Sequence, residues 1–457
     1  MPRKRMSEDK VLKGEILLHT ESICPECLKR IPARYVEDEG KVFMEKDCPE
    51  HGAFRTLVWS DAKGYADWMS QSVHAMKTQD AEPVLRGCPY DCGLCGEHEG
   101  KTCTAVLEIT YRCNMHCEIC FADTAKHCYE PDLAKIRRMY ETAYRFGGDC
   151  SIQLSGGEPT MREDIFDILR MGKEMHFSHI QVNTNGIRLA EEADYAYRLK
   201  AAGADLIYLQ FDSLRDEVYK ITRGREIADI KFRAIENCAA AGIGVMLVPV
   251  MIKGVNDGEI GALVEFAKAH MPTVKGIHFQ PVSYFGRYPD REGRQVWGHM
   301  NLADVMRELE RQTRGELKQT DMVPRKKYDA HCAFSSAYFL DENKVLRAIT
   351  GKGQNTNIPS STDFSAKTNT FTNRFWRQPQ EKKEPAAHRM DMRGFIKRLR
   401  DYTLTVSGMG FQDAYNLDLG RLRGCCVHVI TDDEKAVPLC AFHLTGNSGK
   451  RLYGNGK

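Results

Sequence analysis

The 457-residue sequence has no apolar run long enough to cross a bilayer; the longest, VMLVPVMI at 245–252, reads as a buried strand. It has no surplus of either charge. Sixty-five basic residues stand against 63 acidic ones, a net +2, so the balance gives no basis for a general nucleic-acid or membrane surface. The basic opening, PRKR, is not followed by an apolar segment. No secretory signal is read there, and a cytoplasmic location is expected, with room left for peripheral contact with a membrane. Hydrophobic residues at 42% and charged residues at 28% are ordinary for a chain of two or three domains.

Cysteine, by contrast, is abundant. Seventeen cysteines, an odd number in a large chain without an export signal, point to metal binding in a reducing compartment rather than to disulfides. Cys150 and Cys238 sit alone among apolar neighbours and are expected in the core; Cys128 is ambiguous. The others fall into groups. In a first segment, 1–60, SICPECLKR carries Cys24 and Cys27, a hairpin-like run comes next, and CPEHG offers Cys48 and His51 at the same spacing. Two such pairs make a tetrahedral knuckle for zinc or a rubredoxin-like iron. In a second, 61–104, CPYDCGLCGEHEGKTC holds Cys88, Cys92, Cys95 and Cys103, enough to wrap one iron–sulfur cluster or, chemically, a zinc ion.

From 105 the pattern changes to strand–loop–helix repeats. Candidate strands lie at 105–110, 151–154, 179–183, 206–211, 244–250 and 277–281. Between them come helical patterns such as DLAKIRRMYETAYRFGG, with Leu133, Ile136, Met139, Tyr140, Ala143 and Phe146 on one face and glycines at the end. Six such units argue for an α/β protein, a partial (β/α)6 TIM-like barrel over 105–315; a doubly wound sheet is the alternative. A C-terminal extension, 316–457, contains the polar stretch 351–390, which reads as a loop or linker. Its scattered Phe364, Phe371, Phe375, Trp376 and Phe395 read as core packing rather than as the lining of an apolar tunnel.

A barrel of this kind carries its site at the carboxyl ends of its strands. The segment after each strand is polar or rich in glycine or cysteine. After the first come Cys113, Cys117 and Cys120, spaced C-x3-C-x2-C, one ligand short of the usual four. Three thiolates can hold a [4Fe–4S] cube by three corners and leave one iron open to an amine and a carboxylate, as in S-adenosylmethionine. Gly156 and Gly157 would let backbone carbonyls approach that ligand's ammonium, and Glu158 can accept a hydrogen bond or brace the turn. Asn183, Thr184, Asn185, Asp212 and Ser213 can meet ribose hydroxyls and carboxylate oxygens.

The three-cysteine loop, GGEP about 40 residues on, then NTNG and FDS at the next tips, resembles the radical S-adenosylmethionine (SAM) superfamily. Ile119 stands where that superfamily usually has an aromatic residue. A closer resemblance covers nearly the whole chain. CPECLKRIPA…CPEHG, CPYDCGLCGEHEGKTC, CNMHCEICFA, GGEPT and FQDAYNLDLGRLRGCCVHV…PLCAFH are similar to the tetraether lipid synthase family, whose relatives were formerly described as pterin methylases. The resemblance implies a catalytic cluster on Cys113, Cys117 and Cys120, an auxiliary one on Cys88, Cys92, Cys95 and Cys103, and a rubredoxin-like iron on Cys24, Cys27 and Cys48 with His51 as fourth ligand.

In the C-terminal segment, a hairpin centred on TDDE would set Cys425 and Cys440 opposite each other, with Cys332 as a third ligand of a second auxiliary cluster and Cys426 facing away. Two core cysteines in a hairpin are the alternative, and HCAFSS departs from the family's pattern. The expected activity is reductive cleavage of SAM to a 5′-deoxyadenosyl radical that takes hydrogen from an unactivated C–H. The family resemblance points first to C–C bond formation on lipid chains, second to carbon methylation of a pterin-like small molecule, and third to peptide modification. An iron–sulfur redox module without catalysis is the non-enzymatic reading. An electron-donor protein is an expected partner.

Overall fold

The structure, a computed structural model, describes residues 14–71, 83–123, 129–288, 300–325, 329–351, 398–399 and 401–453. Cys128, the aromatic set 364–395 and nearly all of the polar stretch 351–390 lie outside these residues.

The N-terminal segment is a four-stranded antiparallel meander, β1 (Glu15–Ile23), β2 (Arg30–Asp38), β3 (Lys41–Cys48) and β4 (Gly52–Trp59), in sequential order. Its β1–β2 and β3–β4 turns carry the CPEC and CPEH ligand pairs, so the meander brings the two pairs to one end. Alternation along β2 and β3 buries Tyr35, Val42 and Met44, and Lys46 crosses to the carbonyl of Ala414 at 2.7 Å.

Six parallel strands form the body: β5 (Thr104–Thr110), β6 (Ser151–Gly156), β7 (Ile180–Thr184), β8 (Leu206–Gln210), β9 (Gly244–Val248) and β11 (Val274–Pro281), with the short β10 (Val250–Met251) beside β11. They pair in chain order, which is the partial (β/α)6 barrel the repeats predict. The helix Leu133–Gly147 buries Ile136, Met139, Tyr140, Ala143 and Phe146, the face read from its period. Asp132 caps it by accepting from the amide of Lys135, and Gly148 at φ 64° ends it.

The C-terminal segment does not stand apart from this sheet. β15 (Thr403–Met409) runs parallel to β11 at one edge and carries β13 (Ala333–Leu340), which is flanked by β12 (Val323–Pro324) and β14 (Leu346–Ala348). β16 (Val427–Ile430) runs parallel to β5 at the other edge and pairs with β17 (Ala436–Pro438). The hairpin around TDDE is therefore present, but its second arm stops at Pro438 and turns into the helical turn Leu439–Phe442. The register joins His428 to Pro438, so Cys440 is not held strand-to-strand against Cys425.

Candidate active site and metal centres

A cavity of about 330 Å³ opens at the carboxyl ends of the parallel strands. Its rim is built from the strand tips: Cys113, Cys117 and Cys120 after β5, Gly156–Glu158 at the end of β6, Asn183–Asn185 at the end of β7, Gln210 ending β8, Val248 ending β9 and Gln280–Ser283 at the end of β11.

The cysteine loop is pinned from three sides. Cys120 and Arg287 exchange two backbone hydrogen bonds, of 2.8 and 3.0 Å. The Nε of Arg287 donates to the carbonyl of Cys117 at 2.7 Å, and Asn185 donates through its side chain to Asn114 at 2.7 Å. The two glycines have a reason of their own within the chain. A Cβ on Gly156, at φ +116°, would stand 2.2 Å from the carbonyl oxygen of Thr110, and one on Gly157 would stand 2.4 Å from that of Arg112. They are small because the β6 tip lies on the backbone entering the cysteine loop, with the Gly157 amide donating to Thr110 at 2.7 Å.

Glu158 is a brace. Fully buried, it accepts from the amide and hydroxyl of Thr160, from the hydroxyl of Thr184 at 2.8 Å and from the amide of Asn185 at 2.6 Å, locking the second and third tips together. Burial raises its pKa and these donors only partly offset the rise. Asp212 and Ser213 do not line the cavity. Both oxygens of Asp212 are taken by Arg223, which reaches the cavity wall beside Cys117, and Ser213 donates to Glu259 at 2.5 Å.

In the knuckle, Cys24, Cys27, Cys48 and His51 bring one ligand atom each within 4.8 Å of one another. Cys27 and Cys48 sulfurs are 4.0 Å apart, and the Nδ1 of His51 lies 3.4 Å from Cys48 and 3.6 Å from Cys24. Tetrahedral ligands at about 2.3 Å from a zinc ion are spaced about 3.8 Å, so the quartet has the right size. Burial pushes the Cys24 thiol up to about 11; for Cys48 burial is outweighed by hydrogen bonds from His51 and neighbouring amides, which bring it to about 7.

Two further cysteine groups flank the barrel. Cys88, Cys92 and Cys95 line one small recess with His98 and Arg423. Cys103 is not on that wall. Its amide donates to the carbonyl of Cys426 at 2.8 Å at the foot of β5, and its thiol is among the charges that act on Cys425. Cys332, Cys425 and Cys440 lie within one another's electrostatic reach beside that recess, where Cys440 shares an apolar cluster with Cys88 and Cys92 and the His98 ring meets the Cys425 carbonyl at 2.8 Å. Burial raises the Cys425 thiol, with Cys440 and Cys332 adding to the rise; Cys332 accepts from the Nη2 of Arg421 and Cys440 from the amide of Gln412, each at 3.3 Å. Cys150 and Cys238 are 1% exposed and lie in the core, as their neighbours predict.

Residues 107–267 match the sequence pattern of the radical SAM superfamily, and 16–60 match the HMPTM N-terminal zinc ribbon domain. The chain is 33% identical over 481 aligned positions, 93% of each chain, to a protein of Methanocaldococcus jannaschii named 7,8-dihydro-6-hydroxymethylpterin dimethyltransferase. The chain belongs to that family of radical SAM enzymes. It is also 30% identical to a probable GTP 3′,8-cyclase of Thermococcus kodakarensis, over 53% of this chain and 75% of that one. Among solved structures, Streptococcus suis SuiB bound to S-adenosylmethionine aligns with 46% of this chain and 47% of its own, at 19% identity and a TM-score of 0.38.

Radical SAM proteins use a [4Fe–4S] cluster and SAM, and the donor set on the cavity rim fits a cluster. Desolvation of the sulfurs at the cavity raises the Cys113 and Cys117 thiols, Cys113 to about 12, so without metal these two hold their protons; cationic irons reverse that balance. Cys113, Cys117 and Cys120 would hold the cluster. Gly156, Gly157, Glu158, Asn183, Thr184 and Asn185 surround the space beside it. Ile119, at the superfamily's aromatic position, lies on the same wall. Reasoning from the sequence missed Arg223, Gln210, Glu108, Tyr208, His278 and His443, which also line the cavity. Only Glu108 left a signal, as an acid inside the apolar strand AVLEIT. No helix among the described residues is long and apolar enough to cross a membrane.

Proposed function

We propose that this radical SAM enzyme alkylates or methylates carbon on a compact, polar heterocycle of the pterin kind. The observation that carries this reading is the cavity wall. Beside the cysteine rim it presents Glu108, His443, His278, Tyr208 and Gln153, more hydrogen-bonding groups than a hydrocarbon chain would use. The name of the Methanocaldococcus jannaschii relative supports the same class. When bound, the reduced cluster and SAM supply a 5′-deoxyadenosyl radical able to take hydrogen from an unactivated C–H. The chain's own part is to fix the loop through Arg287 and Asn185 and to hold the tips together through Glu158.

Coupling of lipid chains is the second reading. Val106, Met409, Phe411, Val427 and Leu439 give the chamber an apolar side against which methylenes could lie, and the resemblance to tetraether lipid synthases supports it. An electron-donor protein is the partner either reading needs. The zinc-ribbon match supports a redox-inert ion in the knuckle, which would leave that site structural.

The test is anaerobic turnover of the reconstituted enzyme with SAM, a reductant, a one-carbon donor (further SAM or a reduced folate-type carrier, assayed separately) and 7,8-dihydro-6-hydroxymethylpterin. A carbon-methylated pterin with stoichiometric 5′-deoxyadenosine is the expected result. Its absence, with coupled chains formed from isoprenoid or fatty-acyl lipids instead, overturns the heterocycle reading in favour of the second.

A further inference from the structure

A carboxylate and an imidazole share one wall of the cavity. Glu108, on β5, and His443, one residue past the helical turn Leu439–Phe442, are both buried, and Glu108 Oε1 lies 3.3 Å from His443 Nε2. The other carboxylate oxygen accepts from the hydroxyl of Tyr111 at 2.6 Å. Each oxygen of Glu108 thus meets one partner, and with Nε2 donating to Oε1 the carboxylate is fully used on the protein side. An ionised carboxylate only accepts hydrogen bonds. The ring nitrogen facing it, Nε2, therefore carries the hydrogen, and in the neutral ring Nδ1 is the lone-pair side.

That Nδ1 is buried and has no hydrogen-bond partner among the described residues. The ring has little freedom to turn, because Phe121, Phe442 and Phe285 pack against it with centroids at 4.6, 5.1 and 6.4 Å. A buried acceptor without a donor is costly to the folded chain. The ring lies on the cavity wall, where a bound molecule can supply the missing donor.

We infer that Nδ1 of His443 accepts a hydrogen bond from an N–H or O–H of the substrate, with Glu108 fixing the tautomer, and that this contact selects a donor-bearing heterocycle over a hydrocarbon. The inference rests on the cavity being the substrate chamber of the proposed reaction.

The probes are pterin and pteridine, which share one bicycle; pteridine has neither N–H nor O–H. Their affinities are measured by fluorescence on the cluster-loaded, SAM-bound enzyme. Wild type is expected to prefer pterin by roughly tenfold or more. His443→Gln keeps an amide N–H for Glu108 but offers no acceptor at Nδ1, and the preference is expected to fall to near one while SAM affinity and the cluster EPR signals stay unchanged. Glu108→Gln, which no longer dictates the tautomer, is expected to reduce the preference as well and serves if His443→Gln does not load its clusters. An unchanged preference in the variants overturns the proposal. Conversion of 7,8-dihydro-6-hydroxymethylpterin is scored separately. No conversion together with a His443-dependent preference defeats the proposed reaction and leaves the contact standing. Conversion with an unchanged preference does the reverse, and failure of pterin to bind wild type defeats both.

Discussion

Arg223 grips Asp212 at two points, Nε to Oδ2 at 2.7 Å and Nη2 to Oδ1 at 3.0 Å, with the pair buried beneath the cysteine loop. The other guanidinium nitrogen, Nη1, donates to the carbonyl of Ile119 at 3.2 Å. Removing one partner would leave the other charge buried and unpaired, which costs about 3–5 kcal/mol. Asp212→Asn is therefore expected to lower the urea midpoint by that equivalent and to weaken SAM binding. Unchanged SAM affinity by equilibrium dialysis, with an unchanged midpoint, would refute the assignment.

The β6 tip gives a second prediction. Gly156→Ala must place a methyl against the Thr110 carbonyl at a φ of +116°. Strain of this kind costs about 1–3 kcal/mol, and here the loop that carries the cysteines would have to absorb it. The variant is expected to melt lower and to bind SAM more weakly than Gly258→Ala, a control whose Cβ meets nothing within 4 Å. Equal melting temperatures would count against it.

The strands and the helix faces were legible because their signal is periodic and local. Ile136, Met139 and Tyr140 are buried as the 3.6-residue repeat requires, and six tips converge because parallel strands all end on one side. The knuckle was legible for the same reason: two ligand pairs on a short meander have few ways to meet. Relations across hundreds of residues could not be read. Nothing in FDS says that Asp212 is spent on Arg223, and nothing in HCAFSS says that Arg421 will reach Cys332. Cys103 was grouped with its neighbours in sequence, and its bond to the carbonyl of Cys426, made where β5 pairs with β16, was not legible there.

Lys231 should make stability depend on pH. Its ammonium is buried, donating to the carbonyl of Asn185 at 2.5 Å and to Gln210 at 2.8 Å. Burial, with repulsion from Arg223, lowers its pKa to about 7 despite the opposing charges of Asp212 and Glu158. The unfolded lysine titrates near 10.4, so between these values the unfolded chain binds the extra proton and stability rises with pH. Wild type should gain about 1.4 kcal/mol per pH unit between pH 7 and 9 relative to Lys231→Met. Urea midpoints at the two pH values check this, and parallel slopes would exclude it.

Metal content separates the centres. Full loading predicts about twelve irons in three cubes plus one single ion per chain. Cys27→Ser is expected to lose the single ion, zinc or iron, and to keep the cubes. Cys92→Ala and Cys440→Ala are each expected to lose about four irons. Metal analysis of anaerobically purified protein reads all three; a Cys440→Ala chain with wild-type iron would leave Cys332, Cys425 and Cys440 as core residues.

β15 and β16 belong to one stretch of about fifty residues, yet they close off opposite rims of the barrel. The same stretch supplies Met409, Phe411, Val427, Leu439 and His443 to the chamber. A chain cut short before Thr403 would therefore keep its cysteine loop but expose two raw sheet margins, each a template for pairing with a neighbour. Aggregation of such fragments, rather than a smaller working enzyme, is the outcome this architecture imposes.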